Sequence, residues 1–206
     1  MTLKKICEAL GWHRIRRWKN FVKEVKFMEN AAETATAPQS ISPYFESLFG
    51  GWRPDAGLVR EVMESMETRS IEEVFDAILK TPIAESQFGK AWGWVPVDNS
   101  MQLTTLEKAQ QIISDTPVET LKWIAERQDC DDISEIFESI CRIFYGVNVR
   151  LVVSFSSGHA FIAWPLIVNK TVEWRFLEPQ NDGWKTDLHI GSGRGKPGDV
   201  SQALIV

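Results

Sequence analysis

Cys130, His159 and the acid–amide pair Glu178 and Gln180 are the residues of this chain whose types and order could do covalent chemistry. Cys130 lies in Gln128-Asp129-Cys130-Asp131-Asp132, where a polar break gives way to an amphipathic stretch. His159 follows in Ser156-Ser157-Gly158-His159 at the head of an apolar run, and Glu178-Pro179-Gln180 ends the next one. A thiolate attacks an acyl carbon, an imidazole holds the ion pair and later protonates the leaving group, and an acid or amide orients the imidazole. Those parts in that order make a thiol hydrolase. The bland alternative is a buried cysteine at a helix start and a core histidine with its hydrogen bonds satisfied. Backbone N–H groups at a helix start favour a thiolate, and the Cys130 N–H would be one donor to an oxyanion. Trp94, Trp123 and Gln128 are candidates for the other. Asp131 and Asp132 oppose the thiolate; they read as ordinary first-turn acids, with hydrogen bonding or cation binding as the alternative for Asp132.

Such residues work only if the elements carrying them converge. Ile133, Ile136, Phe137, Ile140, Cys141 and Phe144 recur at helical spacing over 130–145, and Cys130 sits three residues ahead of Ile133 at the start of that stripe. Residues 159–167 and 172–180 read as a hairpin turning at Asn169-Lys170. With a turn of even length, paired residue numbers sum to 339, which sets His159 opposite Gln180 and Phe161 opposite Glu178. His159, Phe161, Ala163, Trp174, Phe176, Glu178 and Gln180 would then share one face, and its apolar middle is the expected seat of the Cys130 helix.

Further upstream, helical patterns run over 55–67, 70–80, 104–114 and 117–127, with Ser70 and Glu73 forming a capping-box signature. Residues 88–98 are an aromatic stretch broken by Gly and Pro, 147–153 is β-branched, and 189–199 reads as a glycine-rich loop before a short last strand. Helices first and an antiparallel sheet afterwards make an α+β fold.

The chain has 206 residues, 44% of them hydrophobic, enough for one domain with a core and a smaller appendage. No apolar run approaches the ~20 residues of a membrane span, and the N-terminus lacks the pattern of a signal peptide. Three cysteines without metal-type spacing give neither a disulfide framework nor a zinc site. The expectation is a cytoplasmic protein with reduced thiols, in which Cys7 and Cys141 are packing residues. Residues 1–30 carry Lys4, Lys5, Arg14, Arg16, Arg17, Lys19, Lys23 and Lys26 against Glu8, Glu24 and Glu29, a net +5 in a chain of net charge −5. An acidic body argues against a dedicated nucleic-acid site. Residues 1–28 read as a basic amphipathic helix suited to a partner chain or an acidic surface, 29–43 as a linker, and 44–206 as the main domain. Gly191-Ser192-Gly193-Arg194-Gly195-Lys196 lacks the leading glycine, the Ser/Thr and the helix of a phosphate loop. Met63 and Met66 read as core.

Asp129-Cys130-Asp131-Asp132, Gly158-His159-Ala160-Phe161 and Phe176-Leu177-Glu178-Pro179-Gln180 resemble the papain-like cysteine peptidase domain at the C-terminus of a mushroom (Marasmius) agglutinin, and related bacteriophage proteins. The resemblance covers about residues 85–185. It implies a papain-like or transglutaminase-like core, Cys130 as nucleophile, His159 as base and Glu178 as orienting acid. No cofactor is required by the triad itself; the resemblance adds calcium, on which the active members depend, with Asp131 or Asp132 acting indirectly. This chain reads His159-Ala160-Phe161-Ile162 where relatives often have Trp or Tyr followed by Asn, and no sugar-binding repeat precedes it. The expected function is hydrolysis of a peptide or other amide bond through a Cys-His-Glu triad, with Gln180, Gln128 and Trp94 in support. The alternatives are a weakly active or inactive structural or interaction protein, such as a virion component, and a transglutaminase-type acyltransferase.

Overall fold

The run from His159 to Val168 is apolar at both parities, and a strand apolar on both sides must be covered on both faces. The computed structural model describes residues 47–86, 99–122, 124, 128–189 and 198–205. The chain divides into a unit of residues 1–52 and a unit of residues 53–206. Of the first, residues 47–52 are described: a helical turn with Phe49 and Trp52 edge to face, ring centres 6.1 Å apart. The basic helix and linker expected over 1–43 lie outside the described residues.

The second unit begins with α1 (Ala56–Ser65), β1 (Glu67–Ser70), α2 (Ile71–Ile78), β2 (Ser100–Leu103) and α3 (Leu106–Asp115). After these come α4 (Cys130–Phe144), β3 (Arg150–Ser154), β4 (His159–Val168), β5 (Thr171–Glu178), β6 (Gly183–Trp184) and β7 (Ala203–Ile205). Side chains cap the helices where the sequence offers them. Asp55 accepts from Leu58 N–H, Ser70 and Glu73 form the capping box, and Thr105 accepts from Lys108 N–H. The result is a mixed fold of helices and antiparallel sheets, one two-stranded (β1-β2) and one five-stranded in the order β6-β5-β4-β3-β7. The two-stranded sheet, formed within the helical half, is an element the sequence pattern does not announce.

The hairpin register is as expected: Ile162 pairs with Leu177, Ala163 with Phe176 and Val168 with Thr171, all summing to 339. The turn is two residues, Asn169 (φ 49°) and Lys170 (φ 69°), the left-handed pair that matches strand twist in a tight hairpin. Pro165 lies beyond Ala163, the last residue that β4 pairs with β3, so its missing N–H interrupts no bond on that side.

Two expectations are corrected. The helix expected over 117–127 is absent from the described residues of that stretch: Val118–Thr120 is a single 3-10 turn, and Leu121 leaves it in extended conformation. Ile124 and Gln128 instead exchange two backbone hydrogen bonds of 2.9 and 2.8 Å, a reciprocal pair that an α-helix does not make. The second correction concerns facing. Phe161, Ala163, Trp174 and Phe176 share a buried cluster with Val74, Ala77 and Ile78 of α2, and Trp174 Nε1 donates to Val74 O at 2.9 Å. The α4 helix packs on β4 and β3 through the other side, where Phe137 meets Trp164 edge to face at 5.9 Å. The face expected to seat the Cys130 helix is therefore covered by α2. Met63 is 61% exposed and so is not core.

Candidate active site

Asp129 is the N-cap of α4, and the Asp132 carboxylate accepts from Asp129 N–H at 3.3 Å, so the acids around Cys130 secure the helix start. Cys130 is the first helical residue, and its carbonyl accepts from Ser134 Oγ at 2.7 Å. The N–H groups of a helix's first turn lie outside the intrahelical ladder, which leaves that of Cys130 directed out of the helix start. On the opposite side, the turn 155–158 ends in Gly158 at φ 66°, a left-handed conformation that glycine adopts without strain. It delivers the chain to His159 at the head of β4, paired with Ser154 of β3.

Helix start and strand start meet directly. Ala160 N–H donates to Cys130 Sγ at 3.3 Å, and His159 Nε2 is hydrogen-bonded to Glu178 Oε2. The His159 side chain is 31% exposed and that of Glu178 13%, so the imidazole reaches solvent while its acid is sequestered. Hydrogen bonding to the Cys130 side chain and to Glu178 pushes the His159 imidazole up to about 9 from an ordinary 6.5, against the opposing effect of burial. The imidazolium form is thus favoured at neutral pH. The other cysteine among the described residues is of a different kind: Cys141 is fully buried, and burial holds its thiol well above the usual range.

Of the residues singled out from sequence, Cys130, His159 and Glu178 come together. Gln180 does not join the ladder opposite His159. Pro179 supplies no N–H, β5 ends at Glu178, and residues 179–182 turn away, closed by Asn181 N–H to Glu178 O at 3.2 Å. Gln128 precedes Cys130 by two residues, its backbone committed to Ile124. Trp94 and Trp123 lie outside the described residues. Asp131 and Asp132, with Asp129, bring carboxylate oxygens within 4.8 Å of one another, all partly exposed. An all-oxygen donor set of this kind suits a hard cation such as calcium.

Lys185 is the residue that sequence reasoning missed. Its Nζ lies 3.8 Å from Glu178 Oε2, the same oxygen that His159 engages, and 5.4 Å from the centre of the Phe161 ring. A lysine just past a two-residue strand carries no motif; its proximity arises because β6 pairs with β5, setting Gly183 opposite Glu178.

No protein-family model and no curated protein matches the chain. Among solved structures it is similar to a Polyporus squamosus lectin bound to a human-type influenza-binding epitope, with a TM-score of 0.44 and 21% identity over 57% of this chain and 45% of that one. It is also similar to a PSL1a–E64 complex, with a TM-score of 0.45 and 21% identity over 66% of this chain and 51% of that one. The chain spans about half the length of these structures. Among the described residues no helix is long and apolar enough to cross a membrane.

Proposed function

We propose that this protein is a cysteine hydrolase of papain-like type, cleaving a peptide or other amide bond with Cys130 as nucleophile, His159 as general base and acid, and Glu178 as the orienting acid. The observation that carries the reading is the imidazole of His159, hydrogen-bonded to Glu178 through Nε2 and drawn toward protonation first by Cys130 and then by Glu178. A cysteine hydrolase operates from a thiolate–imidazolium pair, and His159 is biased to the charged half of one.

With Nε2 taken by Glu178, Nδ1 is the ring nitrogen left to the sulfur. Cys130 Sγ attacks the scissile carbonyl carbon, forming a C–S bond while the carbonyl π pair moves to oxygen. The Cys130 backbone N–H, outside the helical ladder, donates to that oxyanion. The imidazolium then gives its proton to the departing amine nitrogen as the C–N bond breaks, leaving a thioester. Water, deprotonated by the now neutral imidazole, attacks the thioester; the C–S bond breaks, and sulfur leaves as thiolate beside a reprotonated His159. Glu178 holds the ring in one orientation throughout. Calcium, when bound, would be held by Asp129, Asp131 and Asp132, and would supply charge that secures the helix start on which Cys130 stands.

Thiol labelling with iodoacetamide at neutral pH, read by mass spectrometry of the digested chain, tests the proposal. Cys130 is expected to alkylate at least about tenfold faster than buried Cys141, and His159→Ala to slow Cys130 alone. Equally slow labelling of both cysteines, or a rate at Cys130 indifferent to His159→Ala, would sink the hydrolase reading. Covalent trapping by a peptide bearing an electrophilic warhead would next separate an enzyme from a protein that has kept the fold and lost turnover.

A further inference from the structure

Lys185 stands in a place that simple surface charge does not account for. Its backbone N–H donates to Phe176 O at 2.7 Å, extending the β5–β6 ladder one residue past Trp184, so the sheet fixes where the side chain starts. The side chain is 14% exposed, and its Nζ lies over the Phe161 ring, 5.4 Å from the centre, and approaches Glu178 Oε2 at 3.8 Å. An ammonium so far removed from water needs an anionic partner, and among the described residues that partner is the carboxylate oxygen already bonded to His159 Nε2. The other oxygen, Glu178 Oε1, is buried with no hydrogen-bond partner. Two cations therefore compete for one oxygen while the second oxygen takes neither.

We propose that Lys185 is a positioning residue that divides the Glu178 carboxylate between itself and His159, limiting how tightly the imidazole holds its proton so that the proton can be passed to a leaving group. The charged and titratable groups facing His159 come from three elements. Cys130 comes from α4, whose first turn also carries Asp131 and Asp132; Glu178 comes from β5; Lys185 follows β6. On β4 itself the neighbours Ala160 and Phe161 do not titrate. Of these groups Lys185 is the single cation, so its charge adds to burial in opposing the upward pull of Cys130 and Glu178. Too strong a pull would leave a good ion pair and a poor acid, because general acids work best with proton affinities near the operating pH.

The inference rests on the hydrolase reading for its purpose and not for its test. The His159 imidazole is titrated by NMR in the full-length wild type and in Lys185→Met and Lys185→Arg, with amide spectra checking that each variant is folded. Lys185→Met removes both the repulsion and the competition for Oε2, so the His159 midpoint is expected to rise by about half a pH unit or more, roughly threefold in proton affinity. Lys185→Arg, which keeps the charge, is expected to stay close to wild type. An unmoved or lowered midpoint in folded Lys185→Met overturns the inference, as does an arginine variant that behaves like the methionine one. Lys185→Gln takes the place of Lys185→Met should the latter not fold. Should the midpoint rise as expected while Cys130 stays unreactive in wild type, the division of the Glu178 carboxylate by Lys185 stands, and the hydrolase reading falls together with the purpose it gives that division.

Discussion

His159 is where the proposed chemistry of this protein and its stability are linked. Its folded-state value of about 9 lies above the ordinary 6.5, so the folded protein holds the proton over a range in which an unfolded chain has lost it. The stability gained is fully present below about 6.5 and is lost as pH rises toward 9. Thermal melts of wild type and His159→Gln between pH 6 and pH 10 check this. The wild-type advantage should shrink steadily from pH 6.5 to pH 9, and a difference that is constant with pH would contradict the assignment of the proton to His159. The meeting of Cys130, His159 and Glu178 was legible from type and order, because a helix start, a strand start and a strand end are each written in local sequence. Gln180 departs from its expected place for an equally local reason: the strand pattern runs on two residues past Glu178, through Pro179, which cannot donate to a ladder. Lys185 was illegible, since its meeting with Glu178 depends on a strand pairing that two residues, Gly183 and Trp184, do not signal.

At the scale of elements, the β4–β5 hairpin sets the geometry of the site. A two-residue turn fixes an even register, and a one-residue slip would send every side chain to the opposite face, separating His159 from Glu178. That register could be read because Asn169-Lys170 stands between two apolar runs with no other residue free to turn. The turn is nevertheless imperfect. Lys170 adopts φ 69°, which a side chain with a Cβ reaches at a cost and glycine reaches freely. Thr171 Oγ1 donates to Val168 O at 2.8 Å across the turn and Arg69 Nη2 donates to Lys170 O at 3.3 Å; neither bond uses the Lys170 side chain, so both survive substitution. Lys170→Gly should therefore stabilise the protein by about 0.5–1 kcal/mol, read as a shift in urea midpoint at unchanged slope, with Cys130 labelling unaltered. A loss of stability would mean that the turn is held in this conformation by its side chain. The placement of α4 was misread because alternation was sought in β4 where there is none. Ala160, Ile162, Trp164 and Leu166 are as buried as Phe161 and Ala163. Each face of such a strand needs its own helix, and α2 and α4 divide them.

A five-stranded sheet covered on both faces organises the whole of the second unit. One buried cluster joins α2, β2, β3, β4, β5 and β7 through Val74, Leu103, Val152, Phe161, Phe176 and Ile205, while α4 closes the other face through Phe137 on Trp164. Cys130, borne by the layer on the Trp164 side, reaches His159 only because both stand at the end of the sheet where β4 begins. The separation of layers could not be read from sequence, since α2 and α4 have similar amphipathic stripes and neither names its face. Every residue of the proposed site, and every member of that cluster, lies within residues 53–206. A unit of that length is in the range that buries enough surface to fold alone. A chain beginning at Arg53 is thus expected to unfold in one transition, with a Tm within about 4 °C of the full chain, the shift that ~1 kcal/mol produces at this size. Cys130 should keep its labelling rate in it. Differential scanning calorimetry and the iodoacetamide assay on the shortened chain decide the matter. A larger fall in Tm, or slowed labelling of Cys130 at an unchanged Tm, would show that residues 1–52 contribute to the stability of the sheet or to the reactivity of the thiol at its end.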